Sequence, residues 1–152
     1  MKIPVNIKIT KKFITEQRRV RACDNAESEE FVSEFEGTMT LNGRDIVLGY
    51  NDHDDVRIED TFRDGKCRFL TICSGRQVMV SLAFEEGKSF ICYLPTNERA
   101  DFARIETKKL DIDLGEDGGT VHIIYVSEVP ENGAERYDVT ISVAPAGKFL
   151  RS

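Results

Sequence analysis

The sequence lacks the features that place a chain in a membrane or on an export route. Its longest apolar runs span only a few residues, far short of the roughly 20 that a transmembrane helix needs. The run MKIPVNIKITKK at the start alternates apolar and polar residues, where a signal peptide would carry a continuous apolar block. We therefore expect a cytoplasmic protein with no membrane partner.

The motifs of the common enzyme classes are missing as well. There is no G-x-S-x-G elbow, Walker loop, dinucleotide fingerprint or H-E-x-x-H pair. The two histidines, His53 and His122, have no cysteine nearby in sequence that could act as a nucleophile. We therefore predict no enzymatic activity, no catalytic residues and no cofactor.

The four cysteines contain no C-x-x-C pair; they are Cys23, Cys67, Cys73 and Cys92. Cys67 and Cys73 fall on one predicted strand, where their spacing corresponds to about 20 Å, too far for a shared metal ion or a disulfide. In a cytoplasmic protein such residues are reduced thiols that pack as small apolar groups. The sequence thus favours neither a disulfide framework nor a zinc site.

What the sequence does have is the composition of one folded domain. It has 152 residues, of which 40% are hydrophobic and 32% charged, and no linker or repeat divides it. We predict a single β-barrel domain over 1–152, with a basic strand and linker at 1–30 and a short tail at 145–152.

Charge is unevenly distributed along the chain. The net charge is −6, yet residues 1–21 carry seven Lys or Arg and one acid, Glu16, so they hold +6 and the remainder holds −12. One interpretation is a basic arm, with Arg18, Arg19 and Arg21, that contacts phosphates or an acidic partner. The favoured interpretation is cross-strand pairing with the acidic run ESEEFVSEFE at 27–36. The negative total makes nucleic acid an unexpected partner.

Apolar residues recur mainly with a period of two, which is typical of half-buried strands. The clearest alternating series are Val5, Ile7 and Ile9; Phe31, Phe35, Met39 and Leu41; and Ile46, Leu48 and Tyr50. Turn signals follow about every 10 residues, at Asn42-Gly43, Asp64-Gly65, Ser74-Gly75, Glu86-Gly87 and Asn132-Gly133. No long stretch has a helical period, so we predict an all-β, antiparallel, up-and-down barrel of about 8–10 strands.

One strand changes the phase of its apolar residues. Between Phe102 and Leu114 the apolar positions switch from Ala103 and Ile105 to Leu110 and beyond, which indicates a β-bulge. Just before it, the segment 96–105 fits either a helical turn or an extended lead-in, and the extended form is favoured.

Two acidic runs resemble metal loops but lack the required spacing. In DIDLGEDGG, 111–119, Asp111 and Asp113 alternate with apolar residues and so point outward, while Glu116 and Asp117 precede a predicted Gly118-Gly119 turn. The second run, 51–55, has carboxylates that diverge along a loop. We predict no metal site at either run.

Three segments resemble, in order, the YwiB-like family of bacterial proteins of unknown function. They are FVSEFEGTMTLNGRDIVLGYND, VMVSLAFEEGKSFICY and IETKKLDIDLGEDGGTVHIIYVSEV, and together they cover about residues 27–144. The matching positions are Gly37, Tyr50, Phe84, Gly87, Lys88, Thr107, Gly118, Gly119 and Tyr125. The chain departs from the family pattern at Asn51-Asp52 and at Leu94-Pro95-Thr96-Asn97. The resemblance implies a calycin-like barrel, related in shape to lipocalins and fatty-acid-binding proteins, and no catalytic residues.

Two functions fit these observations. A barrel of this size can hold a small, partly apolar ligand in its interior. Alternatively, its own side chains fill the barrel, and a sheet face or the basic arm binds another protein, a second copy of the chain in a homodimer, or RNA. The sequence identifies no ligand-binding residues for either function.

Overall fold

The structure is a computed structural model that describes residues 1–15, 28–72, 78–94, 101–129 and 133–146. Within those ranges the chain forms ten β-strands, and it has no helix long and apolar enough to span a membrane. The strands are β1 Lys2–Thr15, β2 Ser28–Asn42, β3 Asp45–Asn51, β4 Arg57–Arg63, β5 Lys66–Ile72, β6 Val78–Glu85, β7 Ser89–Leu94, β8 Asp101–Gly115, β9 Gly118–Val129 and β10 Gly133–Pro145. The predicted all-β class is confirmed.

The strands form one antiparallel sheet that is nearly closed into a barrel. Strands that follow one another in sequence pair, except β6 with β7, and β1 also pairs with β10, from Val5 opposite Pro145 to Thr15 opposite Glu135. The sheet therefore begins at β6 and ends at β7, two strands that are joined by a short turn but do not pair. The barrel is up-and-down, as predicted, with an open seam between β6 and β7.

The turn after β6 crosses the seam and bonds to β8. The backbone N–H of Glu85 donates to Thr107 Oγ1 at 3.2 Å, and that of Gly87 donates to the Thr107 carbonyl at 2.9 Å. In return the Thr107 N–H donates to the Lys88 carbonyl at 3.0 Å. Thr107 is fully buried, so these bonds satisfy its polar groups and close one end of the seam.

The predicted bulge in β8 is confirmed. The pairing with β9 shifts between Thr107 and Lys109, which leaves Lys108 as the extra residue. Ala103 and Ile105 are buried before the bulge and Leu110 is buried after it, which is the predicted change of phase. The extended form is also confirmed for 101–105, whereas 96–100 lie outside the described residues.

The two ends of the barrel differ in the length of their connections. At one end, here called the turn end, consecutive strands are joined by tight turns at 43–44, 64–65, 86–88 and 116–117. At the other, here called the loop end, the connections are 16–27, 52–56, 73–77, 95–100 and 130–132. Only the second of those five is described. The chain thus has most of its longer connections at the loop end, where barrels commonly carry their sites.

The register supports cross-strand charge pairing between β1 and β2. Lys8 lies opposite Glu34 and Lys12 lies opposite Glu30, so the basic and acidic residues share the outer face. Arg18, Arg19 and Arg21, the residues of the alternative basic arm, lie outside the described residues.

The acidic run in β8 is an outward-facing edge, but its turn is not where the sequence indicated. Asp111 and Asp113 are exposed, as expected. The turn residues are Glu116 and Asp117, and Gly118-Gly119 already form the start of β9. The predicted Gly118-Gly119 turn is therefore wrong by two positions. Close packing against neighbouring backbone requires glycine at 118 and 119, whereas the chain reverses direction at Glu116 and Asp117.

Gly119→Ala is expected to lower the free energy of unfolding by about 1–3 kcal/mol. Gly119 has φ +140°, and a Cβ there would collide with the backbone carbonyl of Asp113. Gly43→Ala is the matched control, since its φ is +64° but nothing lies near the added Cβ. Urea unfolding of both variants measures the difference. Equal losses would show that the collision contributes nothing.

Candidate functional site

The turn-end half of the barrel is filled by its own side chains. Its interior residues include Val5, Ile7, Met39, Leu48, Phe62, Phe84, Val121, Ile123 and Ile141, each almost completely buried. A side chain with no accessible surface cannot line a space large enough for water, so this half is a packed core. A ligand has no room there without displacing protein atoms.

The loop-end half differs, because many of its inward-facing side chains remain partly exposed. They share the inward phase of the strands, and they are Ile9, Lys11, Ser33, Phe35, Ile58, Phe69, Thr71, Val80, Leu82, Ser127 and Tyr137. These inward-facing residues are only half-buried, unlike those of the turn end. This set, here called the barrel mouth, is the candidate site.

A continuous column of aromatic rings leads from the barrel mouth to the packed core. Successive centroids are 6.2, 5.7, 4.9, 4.9, 5.3 and 6.0 Å apart along Phe31, Phe13, Tyr137, Tyr125, Phe84, Phe69 and Phe62. Phe31 is 53% exposed at one extreme, while Phe84 and Phe62 are 1% exposed at the other. Rings at these separations attract one another and offer a large apolar surface to a ligand.

Three polar groups surround the column where it meets solvent. The Lys11 Nζ lies 4.9 Å from the Tyr137 ring centroid, and the Tyr137 hydroxyl donates to Glu135 Oε1 at 2.7 Å. Burial lowers the pKa of Lys11, partly offset by Glu135. Burial, followed by the hydrogen bond to Glu135, raises the pKa of Tyr137, which stays neutral at pH 7. The mouth therefore contains both a lysine and a carboxylate beside the aromatic rings.

Asp60 is the most unusual group inside the barrel. It lies opposite Leu48 and Phe69 in the register, is 1% exposed, and its Oδ1 has no hydrogen-bond partner. Burial raises its pKa from 3.8 to about 8, so the carboxyl holds its proton at neutral pH. An unpartnered carboxyl oxygen in a core destabilises the fold, and such groups concentrate at functional sites.

Two titratable groups lie close to Asp60. Burial, followed by the charge of Asp60, raises the pKa of the Cys67 thiol to about 12. Burial likewise raises the pKa of Tyr50, with Asp60 and Asp52 adding to the effect. Both groups are therefore neutral across the range in which Asp60 titrates.

The acidic loop 51–55 folds back on its own backbone. Asp52 Oδ1 accepts bonds from the N–H groups of Asp54 and Val56, both at 2.9 Å. His53 stacks on Phe35, with ring centroids 4.8 Å apart, at the rim of the barrel mouth. Within the described ranges, no three His, Cys, Asp or Glu side chains converge as a metal site would require.

A surface depression of about 350 Å³ lies on the outer face of the barrel; its lining is Thr10, Lys12, Glu30, His122, Asp138 and Thr140. Within it, His122 Nε2 and Asp138 Oδ1 are 2.7 Å apart. Cys67 and Cys92, the cysteines in the described part of the chain, are buried free thiols on the inner face. Neither of them forms a hydrogen bond with a histidine, and Cys23 and Cys73 lie outside the described residues.

The interior polar residues were missed at the level of sequence, although a signal was present. Asp60 has the same phase as Ile58 and Phe62, so it occupies an inward position of an alternating strand. Lys11 likewise follows the inward phase of β1. A charge in the apolar phase of a strand is the pattern that could have identified both residues.

Fold and site together define a class: an antiparallel ten-stranded barrel with a packed turn end and an aromatic-lined mouth. The chain belongs to the family described as "Domain of unknown function (DUF1934)", which matches residues 14–141. It is also similar to the ywiB protein from Bacillus subtilis, known from a crystal structure, with 18% identity and a TM-score of 0.71. That match covers 95% of this chain and 93% of the other, and it shows a shared fold. A search of curated proteins found no match.

The motif positions that carried the family resemblance meet in the fold. The rings of Phe84 and Tyr125 pack in a tilted arrangement with centroids 4.9 Å apart. Gly87 and Lys88 bond to Thr107 across the seam. These residues therefore hold the barrel closed, which is a structural role and assigns no ligand.

Proposed function

We propose that the protein is a non-enzymatic binding protein that takes a small, partly apolar molecule at the barrel mouth. The aromatic column carries this proposal, since it exposes rings at the loop end and continues inward to the core. Binding sites are typically apolar with a few polar groups, and the mouth combines these two features. The packed turn end confines the ligand to the loop-end half and its boundary with the core.

The order of the strands supports the expected likeness in shape to lipocalins and fatty-acid-binding proteins, which stays a prediction. The free, buried thiols of Cys67 and Cys92 support a reducing compartment, and we place the protein in the cytoplasm on that basis.

Filling the mouth is expected to abolish binding of a neutral apolar dye. Ser127 faces inward opposite Glu135 and Ile105, so Ser127→Phe puts a ring into the proposed ligand space. Ser81 faces outward opposite Leu70, so Ser81→Phe is the matched control. N-phenyl-1-naphthylamine fluorescence should rise with wild type and the control, and the affinity of Ser127→Phe should fall at least about tenfold.

The proposal is wrong if the wild-type protein does not enhance the dye's fluorescence. Equal binding by wild type and Ser127→Phe would also contradict it, because the dye would then lie elsewhere. Circular dichroism of the variants establishes that they are folded.

An interaction module is the second candidate, favoured by an apolar patch outside the barrel. Ile91, Tyr93 and Phe102 are exposed on the outer face of β7 and β8 beside the seam, and Tyr93 lies opposite Phe102. Exposed apolar groups of this kind often contact another protein. We place ligand binding first because the aromatic column leads into the barrel, whereas the outer patch does not indicate what kind of partner would bind to it.

A further inference from the structure

The buried carboxyl of Asp60 indicates the class of ligand, an inference that rests on the proposed function. We propose that Asp60 binds the protonated amino group of the ligand, which is therefore a small amine with an apolar body. The unpartnered Oδ1 inside the barrel is the observation behind this assignment.

An unpartnered buried oxygen needs a hydrogen-bond donor. Phe69 and Leu48, the cross-strand neighbours of Asp60, offer only apolar side chains. An ammonium group supplies three N–H donors, and its charge strengthens the bond to a carboxylate. The ligand's amino group thus satisfies an oxygen that the protein leaves without a partner.

The surroundings of Asp60 also favour a cation. Phe69 and Phe62 have ring centroids 6.0 Å apart in an edge arrangement, and Phe69 is partly exposed to the mouth. The face of an aromatic ring attracts an ammonium group, and the apolar body then lies along the column. Tyr50 and Ile58 pair one layer nearer the loop end, so they must move for the amine to reach Asp60.

Binding must release a proton at neutral pH. In the protein without ligand, Asp60 is mostly protonated at neutral pH because its pKa is about 8. The neighbouring Tyr50 and Cys67 are also neutral at this pH. When the ammonium group binds, the carboxylic acid gives its proton to the buffer and the resulting carboxylate pairs with the ammonium. No other bond forms or breaks, and the net charge of the complex equals that of the free protein.

Isothermal titration of the full chain with n-octylamine and with n-octanol tests the assignment. Both probes have the same apolar body, and the amine is protonated at pH 7 as a lysine side chain is. We expect octylamine to bind at least tenfold more tightly than octanol. Titrations in phosphate and in Tris, which differ in ionisation enthalpy, should show release of nearly one proton with octylamine and none with octanol.

Asp60→Asn keeps the side chain's shape and removes its charge. This variant is expected to bind octylamine at least tenfold more weakly, with no proton release, and to bind octanol as wild type does. Asp60→Glu should restore part of the preference for the amine.

The possible failures are distinguishable. If octanol and the apolar dye bind but octylamine gains nothing and releases no proton, the amine assignment is overturned and the mouth site stands. If none of the three probes binds, the proposed function fails together with this inference.

Discussion

The free energy of unfolding of the wild-type protein is expected to fall between about pH 5 and pH 8, and Asp60→Asn is expected to abolish most of that fall. In the folded state the carboxyl holds its proton up to a pKa of about 8, whereas in the unfolded chain it ionises near 3.8. Between those values the folded state binds one proton more than the unfolded state. Stability contributed by the protonated group is therefore full below pH 3.8 and falls as the pH rises towards 8.

The size of this effect follows from the same difference. One extra proton in the folded state changes the free energy of unfolding by about 1.4 kcal/mol per pH unit, so Asp60 accounts for roughly 6 kcal/mol as an upper limit. Urea unfolding followed by circular dichroism at several pH values measures it. Asparagine does not titrate, so the variant should be the more stable protein at pH 8.

Asp113→Asn is the matched control for this experiment. Asp113 is an exposed carboxyl on β8, and the pH-dependent loss assigned to Asp60 should persist in this variant because Asp60 is unchanged. Parallel stability curves for wild type and Asp60→Asn would contradict the burial of a protonated carboxyl at position 60.

Phe84→Ala is expected to destabilise the protein by about 3–5 kcal/mol. Phe84 is 1% exposed and packs between the rings of Phe69 and Tyr125, with centroids 5.3 and 4.9 Å away. Removing the ring leaves a cavity in the packed half and interrupts the aromatic column beside the seam. Chemical unfolding of the variant gives the loss directly.

Phe102→Ala provides the comparison for Phe84. Phe102 lies on the outer face of β8 and is 41% exposed, so its truncation should cost less than about 1 kcal/mol. Similar losses at the two positions would show that the ring of Phe84 is not part of a tightly packed core.

These two expectations concern different properties of the same interior. Phe84 belongs to the half of the barrel that packing stabilises, while Asp60 lies at its boundary and lowers stability at neutral pH. Replacing Phe84 removes packing and should destabilise the protein, whereas replacing Asp60 by asparagine removes a buried acid and should stabilise it at pH 8. Proteins retain a destabilising buried group where it has a use.

Much of the fold could be predicted from local patterns. The alternation of apolar residues placed the strands, because side chains in a strand point alternately to its two faces. Glycine turn signals separated them, as at Asn42-Gly43, where Gly43 has φ +64°. The phase change between Phe102 and Leu114 predicted a bulge in β8, since one extra residue reverses the face of those that follow, and the structure places it at Lys108.

Other features depend on residues that are distant in sequence. The Gly118-Gly119 turn was misplaced because the need for glycine there arises from the nearby backbone of Val143 and Asp113. The seam between β6 and β7, and the bonds from Thr107 that close its end, result from how the whole sheet curves. No local pattern contains that information.

The sequence by itself determined that this protein is a barrel of antiparallel strands, because a period of two and frequent turns are properties of short segments. Only the tertiary structure decided which end of the barrel is packed and which residues form a site. Asp60 is one acid among many in the sequence, and its significance comes from the apolar neighbours that β3 and β5 place beside it. Burial and the loss of hydrogen-bond partners exist only once those strands have paired.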